Sequence, residues 1–469
     1  MSSRPTLSLQ DSAGGLGPLA LAAFVVALLV ALFALGGSAR AQEAGGGVEG
    51  SDAAPEFSER DLSRLLKLSP LPEPPLDETN RFDGDPRAEA LGRFLFFDAA
   101  LSRDGTIACS TCHDPALAFS DGKPVAIGLG EGTRRTPSLL NAAYGRWYYH
   151  DGRADTLWSQ ALKPLEAPHE MGGDRVAIAR RVHADQALRR AVEVLRGPLP
   201  ALDDEARFPA HARPDPSSPK ASHAVAWAAM AEADREAINR LFSDLGKFLA
   251  AFERRLVSRD SAFDRFVEGL REDDGAKRAA LSASAQRGVA LYLGRGRCRL
   301  CHNGPNFTDG EFHSLGLAAR GGGMPEDAGR YEGVPQLLAD EFNAAGDYSD
   351  APDGARARQL RGLLAGPANW GEFKTPSLRD VDRRAPYMHA GQFGELAEVL
   401  NFYSTLEGAA PLHQHQEQVL TPLELDEREL GDLGAFLRSL RGAPLGEAWT
   451  TPPGGAPGTA PEGAGEHAR

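Results

Sequence analysis

The chain has 469 residues, of which 42% are hydrophobic and 25% charged, and a formal net charge of −14 at pH 7. That length is enough for two or three domains with cores of their own. The acidic balance speaks against nucleic acid and anionic membrane as partners and suits a basic protein surface.

In chain order, residues 17–37 form an uncharged apolar run, with Arg4 before it and Ala39, Arg40 and Ala41 behind. This is the pattern of a secretory signal peptide over residues 1–41, cleaved after Ala41; the alternative is an uncleaved membrane anchor. Either way the remainder is exported, and a periplasmic location is expected. Residues 42–77 read as a linker. Next comes "CSTCH", Cys109 to His113, a pattern repeated as "CRLCH", Cys298 to His302. C-x-x-C-H is the attachment pattern of c-type haem: two thiols bond the vinyl groups on one face of one porphyrin, and the following histidine binds iron. Structural zinc and redox disulfides also use cysteine pairs. Neither accounts for a histidine after both pairs, and the motifs use all four cysteines of the chain. Two covalently bound haems are therefore expected, held by Cys109, Cys112, Cys298 and Cys301, with His113 and His302 as proximal ligands.

The two motifs sit in a longer repeat. Phe119–Gly122 and Phe307–Gly310 follow the motifs as Phe-Ser/Thr-Asp-Gly, and Thr136–Leu139 matches Thr375–Leu378 as TPSL. Counting from each threonine, Tyr148 and Tyr387 lie twelve residues on, and His150 and His389 fourteen. The fold expected is mainly α, with two tandem cytochrome c-like haem domains at 78–257 and 258–441. Helical periodicity in 282–293 and 427–440 agrees, as does the run 235–257, which is expected to join the halves. Pro-rich residues 197–222 and Gly/Asp-rich residues 319–360 read as surface loops, and residues 442–469 as a disordered tail. Fourteen residues beyond each repeated histidine stand Pro164 in the first half and Tyr403 in the second. Tyrosine can bind iron and proline cannot, so one haem is expected open and the other closed.

With "LSRDGTIACSTCHDPALAFSDG", "RRTPSLLN", "HDGRADTLWSQALKP", "CRLCHNG", "FKTPSLRD" and "PYMHAGQF" in this order, the chain resembles bacterial di-haem cytochrome c peroxidases and their MauG-type relatives over residues 78–441. The resemblance implies that the first haem, on His113, is the peroxidatic one. It also implies that Glu170, before Met171, is the distal acid, with Gln160 and Pro164 as the other distal residues. The second haem would be low-spin between His302 and Tyr403. A carboxylate near an open iron can shuttle the peroxide proton, and a phenolate favours higher oxidation states of iron. Taken without the resemblance, Glu170 reads as a solvated acid, and the bland reading of Tyr403 is a packed aromatic.

Several positions depart from the family pattern. Leu129 stands where reductively activated members place a blocking histidine, so an open resting site is expected. His169 reads as a surface histidine. Arg135 and Arg384 occupy positions that in relatives bind calcium, so calcium is expected to be absent, with guanidinium charge among the haem propionates instead. His150 replaces a tryptophan placed between the haems; Trp147, Trp158 and Tyr149 are nearby, with core packing as their default role. Three functions follow. The leading one is a peroxidase that reduces hydrogen peroxide with electrons from a cytochrome or cupredoxin. The second is a MauG-like enzyme that oxidises residues of a partner protein, favoured by Tyr403 and Leu129 and disfavoured by His150. The third, a non-catalytic electron carrier, is disfavoured by Glu170, Gln160 and Pro164. The oligomeric state is left open.

Overall fold

The computed structural model describes residues 52–410 and 417–457. The expected signal peptide lies outside the described residues. The principal helices are α1 (Glu59–Leu65), α2 (Pro86–Phe97), α3 (Leu157–Glu166), α4 (Arg175–Ala184), α5 (Glu232–Glu253), α6 (Ala262–Glu272), α7 (Ala283–Leu293), α8 (Arg330–Leu338), α9 (Leu396–Thr405) and α10 (Glu427–Ser439). Strands β1 (Phe312–His313) and β2 (Phe373–Lys374) form one short antiparallel pair, with Phe312 opposite Lys374. The mainly helical expectation holds.

The first core is organised by α5. Its buried face is continuous from Leu241 to Glu253, so α2 and α3 can pack on different sides of it. Helix α2 begins on Asp85, whose carboxylate accepts from Arg87 N, with Pro86 at the first helical position. A Cβ on Gly92 would fall 1.8 Å from the Phe248 carbonyl oxygen, and one on Gly246 would fall 2.5 Å from that of Trp158. Glycine thus sets how closely α2 and α3 approach α5. The run 235–257 is helical over most of its length and forms the axis of the first core.

The second core is built from α6, α7 and α10 around Phe263, Tyr292, Phe307 and Phe436. Ser282 caps α7 and Asp426 caps α10. Here a Cβ on Gly288 would lie 2.1 Å from the Asp432 carbonyl oxygen. Leu65 and Leu68 also belong to this core, so part of the segment read as a linker is structural.

Corresponding segments of the halves share local geometry. Tyr148 bridges Ala154 as Tyr387 bridges Phe393. Asn141 and Asp380 both adopt left-handed backbone, at φ 63° and 56°. Their amides bond to the Leu256 and Leu440 carbonyls at 2.9 and 3.2 Å. Phe119 and Phe307 are also left-handed, at φ 55° and 50°, as are Tyr149 and Met388, at 64° and 67°. Such conformations cost a non-glycine residue about 1–3 kcal/mol, and they recur at matched positions of these segments.

Three segments are more integrated than composition suggests. Phe208 and Ala212 in the Pro-rich stretch are fully buried. The 319–360 stretch contains α8 and returns to the first half: Phe342 joins the first core, Asp340 pairs with Lys163 at 2.6 Å, and Glu341 pairs with Arg175 at 2.7 Å. In the segment read as a tail, Glu447–Thr450 is helical, and Trp449 packs 6.3 Å from the Phe252 ring. Scattered apolar and acidic anchors, invisible to an average over Gly and Pro, hold all three.

Candidate haem and peroxide site

Both C-x-x-C-H motifs adopt short helical turns, Cys109–Cys112 and Cys298–Leu300, that place two thiols and a histidine together. The four cysteines are not paired as disulfides. Burial pushes the Cys112 and Cys298 thiols up to about 11, the reverse of the lowered values that mark redox-active pairs. In each motif the imidazole is held by its Nδ1. His113 Nδ1 lies 3.0 Å from the Phe119 carbonyl; His302 Nδ1 lies 3.2 Å from that of Phe307 and 3.1 Å from that of Pro376. Donation from Nδ1–H fixes the tautomer and leaves Nε2 as the free lone pair, the arrangement a metal-binding histidine needs.

A cavity of about 1080 Å³ is lined by Cys298, Cys301, His302, Tyr403 and Phe436 and extends to His150 and Gln160. Tyr403 projects from α9 into this space; its hydroxyl makes no hydrogen bond among the described residues. Burial raises its phenol pKa, and the Cys298 and Cys301 sulfurs are within electrostatic reach. Buried nitrogens of Arg135 and Arg384 on the cavity wall also lack partners. Free thiols, an oriented Nε2, an apolar chamber and unpaired cations together fit covalently attached haem with its propionate carboxylates.

Around the first motif, the Thr156 hydroxyl caps α3 by accepting from Ser159 N at 3.1 Å. Gln160 and Pro164 then fall one turn apart on the same helix face. Pro164 has no N–H to offer the Gln160 carbonyl. The Tyr149 hydroxyl supplies a donor instead, at 3.3 Å. This role of Tyr149 was not legible in the sequence, where core packing was its default reading.

Glu170 follows α3 and is held by its backbone: its carbonyl accepts from Leu129 N at 2.9 Å, while His169 O accepts from Gly130 N at 2.9 Å. The loop carrying Leu129 is thereby docked beside Cys112, whose sulfur lies 3.9 Å from the Ile127 carbonyl. Burial raises the Glu170 pKa, opposed by the neighbouring His169 and Arg153 side chains. The charge of Glu170 in turn bears on Cys112 and on the Tyr149 phenol. Glu170 therefore belongs to the same neighbourhood as Gln160, Tyr149 and the first motif, although it does not line the large cavity. His169 is half exposed, its Nε2 3.5 Å from the Glu170 carboxylate.

The repeated histidines meet where the two halves adjoin. His150 O accepts from Lys374 N at 2.7 Å, and His389 O accepts from Arg135 N at 2.9 Å, so each half bonds the other's histidine. His150 Nε2 lies 3.2 Å from the Arg135 carbonyl. Phe373 stacks on His389 at 3.8 Å. Burial, with nearby cationic side chains, keeps both rings neutral: His389 is lowered to about 4 and His150 well below its ordinary value. Trp158 is core, its Nε1–H donating to Thr79 at 3.0 Å, whereas Trp147 lines the cavity.

The fold and these motifs define a helical protein with two covalently attached c-type haems. The sequence profile described as "Di-haem cytochrome c peroxidase" matches residues 86–272. The methylamine utilization protein MauG of Methylorubrum extorquens is 33% identical over 395 residues, covering 84% of this chain and 88% of the relative. Cytochrome-c peroxidase IdrP1 of Denitromonas iodatirespirans is 32% identical over 387 residues, covering 81% of this chain and 87% of the relative. The crystal structure of a MauG-like protein associated with microbial copper homeostasis superimposes with a TM-score of 0.57 at 25% identity, covering 82% of this chain and 95% of the other. The chain belongs to the di-haem cytochrome c peroxidase family. It is an oxidoreductase acting on hydrogen peroxide and carries two c-type haems.

Proposed function

We propose that the protein is an exported di-haem peroxidase whose halves are duplicated haem domains, the first reducing hydrogen peroxide and the second passing electrons to it from a protein donor. The observation that carries this reading is the grouping of Glu170, Gln160, Pro164 and Tyr149 beside the first haem motif. When bound, the haem irons supply the peroxide-binding site and the redox equivalents. The remaining steps belong to side chains. Gln160 orients the oxidant or a water. Pro164 presents a wall without a ligand atom. Glu170, desolvated and with a raised pKa, takes the proton from one peroxide oxygen and returns it to the other, so that water leaves. His113 and His302 would hold the irons through Nε2, and Tyr403 would supply a further ligand atom to the second haem.

Leu129 supports activity without prior reduction, since a leucine cannot occupy an iron position. Tyr403 favours a second reading, in which peroxide drives the oxidation of residues in a partner protein, because a phenolate stabilises oxidised iron. The name MauG on one relative agrees with that reading and the name peroxidase on another with the first. A periplasmic location is supported by the family and the N-terminal pattern. Among the described residues no helix is long and apolar enough to cross a membrane.

The test is to add peroxide to the oxidised holoprotein and follow both haems by absorption and EPR, with and without a reduced cytochrome. Fast reaction without reductant and rapid cytochrome turnover is the expected result. Fast reaction with negligible turnover assigns the partner-oxidising role, and no reaction refutes both.

A further inference from the structure

Two adjacent arginines at the seam behave differently. Arg134 is saturated: it pairs with Asp151 at 2.5 Å and Asp327 at 2.7 Å. Arg135 beside it has buried Nε and Nη2 atoms without partners, and so has Arg384 from the other half. Arg384 as a whole is only 9% exposed, and its one side-chain bond is from Nη1 to the Ser377 carbonyl, at 3.3 Å. Lys374 makes no side-chain hydrogen bond or ion pair among the described residues. Burial lowers Arg135, to about 10, and Lys374, to about 8, and Arg384 is near enough to repel both.

The acids within electrostatic reach are only partly committed elsewhere, and none forms an ion pair with Arg135, Arg384 or Lys374 among the described residues. Asp121 accepts from Thr136 at 2.8 Å, Asp309 holds His313 at 2.9 Å, and Asp382 pairs with Arg441 through Oδ2 while its Oδ1 makes no bond. The Asp380 carboxylate accepts from Gly442 N at 3.2 Å, and its other oxygen makes no bond. Buried guanidinium nitrogens without partners are unfavourable, so Arg135 and Arg384, with part-buried Lys374 facing the same cavity, call for carboxylates to arrive. The ligand must be rich in carboxylate, reach the seam from both sides and leave the apolar chamber filled. Haem propionates satisfy all three conditions.

We propose that Arg135, Arg384 and Lys374 form a cationic clamp for the inner propionates of both haems, fixing the two cofactors relative to each other without a divalent cation. The proposal rests on the di-haem reading. Guanidinium is suited to the task because its planar fork matches a carboxylate and it stays charged when buried. The main-chain bonds of Arg135 and Lys374 to the opposite half's histidine backbone hold the clamp across the seam.

The clamp is tested in holoprotein by spectroelectrochemistry, metal analysis and intact mass. R135Q and R384Q are each expected to retain two haems while the midpoint potential of at least one haem falls by a tenfold change in its reduction equilibrium, about 59 mV. The direction follows because removing positive charge favours ferric iron. R384K, which keeps the charge, is expected to stay within a third of that shift, which separates lost charge from disturbed packing. Wild type is expected to ignore both EGTA and added calcium. Unchanged potentials in R135Q and R384Q, or a tightly bound calcium whose removal shifts the wild-type spectrum, overturns the clamp. A wild-type mass lacking two haem additions overturns the di-haem reading itself, and the clamp with it.

Discussion

Replacing Glu170 by Gln separates its proposed chemistry from its structural role. The segment is held by the Glu170 carbonyl accepting from Leu129 N at 2.9 Å and the His169 carbonyl accepting from Gly130 N at 2.9 Å. Both bonds are main-chain and survive the substitution. The carboxylate's own approach to half-exposed His169, at 3.5 Å, is all that the side chain gives up; pairs of that kind contribute about 0–1 kcal/mol. Stability should therefore change little. The rate should not be spared: loss of a general acid–base group costs about 10²–10⁴-fold, equivalent to about 3–5 kcal/mol in the barrier. Because burial raises the Glu170 pKa, the base is lost on acidification. The wild-type peroxide step should slow as pH falls through a value above the ordinary carboxylate range. In the Gln variant that acid limb should vanish. Stopped-flow mixing of oxidised protein with peroxide, followed at the Soret band across pH, reads both quantities. A rate within threefold of wild type, or an acid limb that persists, refutes the role of Glu170 as proton shuttle.

Other perturbations follow from packing and ligation. Gly92→Ala and Gly288→Ala drive a Cβ to within 1.8 and 2.1 Å of backbone oxygens. Each should cost about 2 kcal/mol or more despite the better helix propensity of alanine, and thermal unfolding that is unchanged would contradict the close crossings. Arg175, 6% exposed, joins Glu166 at 2.8 Å to Glu341 at 2.7 Å. Arg175→Met should destabilise the fold by about 3–5 kcal/mol, measured by denaturant titration, and less at acid pH, where the stranded carboxylates are neutralised. Tyr403→Phe should turn the second haem from low-spin to high-spin in EPR while leaving two haems attached; an unchanged spectrum removes Tyr403 as a ligand.

The C-x-x-C-H motifs were legible because haem attachment demands a short fixed spacing, and the contrast of Pro164 with Tyr403 because the matched segments keep one register. What escaped the sequence depends on long-range pairing. The return of 319–360 to the first half relies on Asp340, Glu341 and Phe342, a few anchors inside a Gly/Asp-rich stretch that averages to loop. Asp340 meets Lys163 across 177 positions, a separation no local pattern registers. The segment from Leu65 to Leu68 and the helix around Trp449 were hidden in the same way, each being short and held entirely by what it packs against. Arg135 and Arg384 were noticed as departures, but their adjacency required the folded seam.

The contrast between the halves reaches beyond one ligand position. Carrying the register through, Tyr149, Gln160 and Pro164 correspond to Met388, Val399 and Tyr403. In the first half, proline removes the N–H that would have bonded the Gln160 carbonyl, and the Tyr149 hydroxyl takes over that bond at 3.3 Å. In the second half, Tyr403 keeps its own N–H, so no hydroxyl is required at Met388, and Val399 adds no polar group. The three exchanges are thus physically coupled. A proline without the tyrosine would strand a carbonyl, and a glutamine facing a closed iron would have nothing to orient. In the proposed reading, the same left-handed turn before each histidine serves a polar, open site in the first half and an apolar, closed one in the second. That coupling predicts that Pro164→Tyr alone would leave Tyr149 and Gln160 competing with an intruding phenol, and would not yield a second copy of the Tyr403 site.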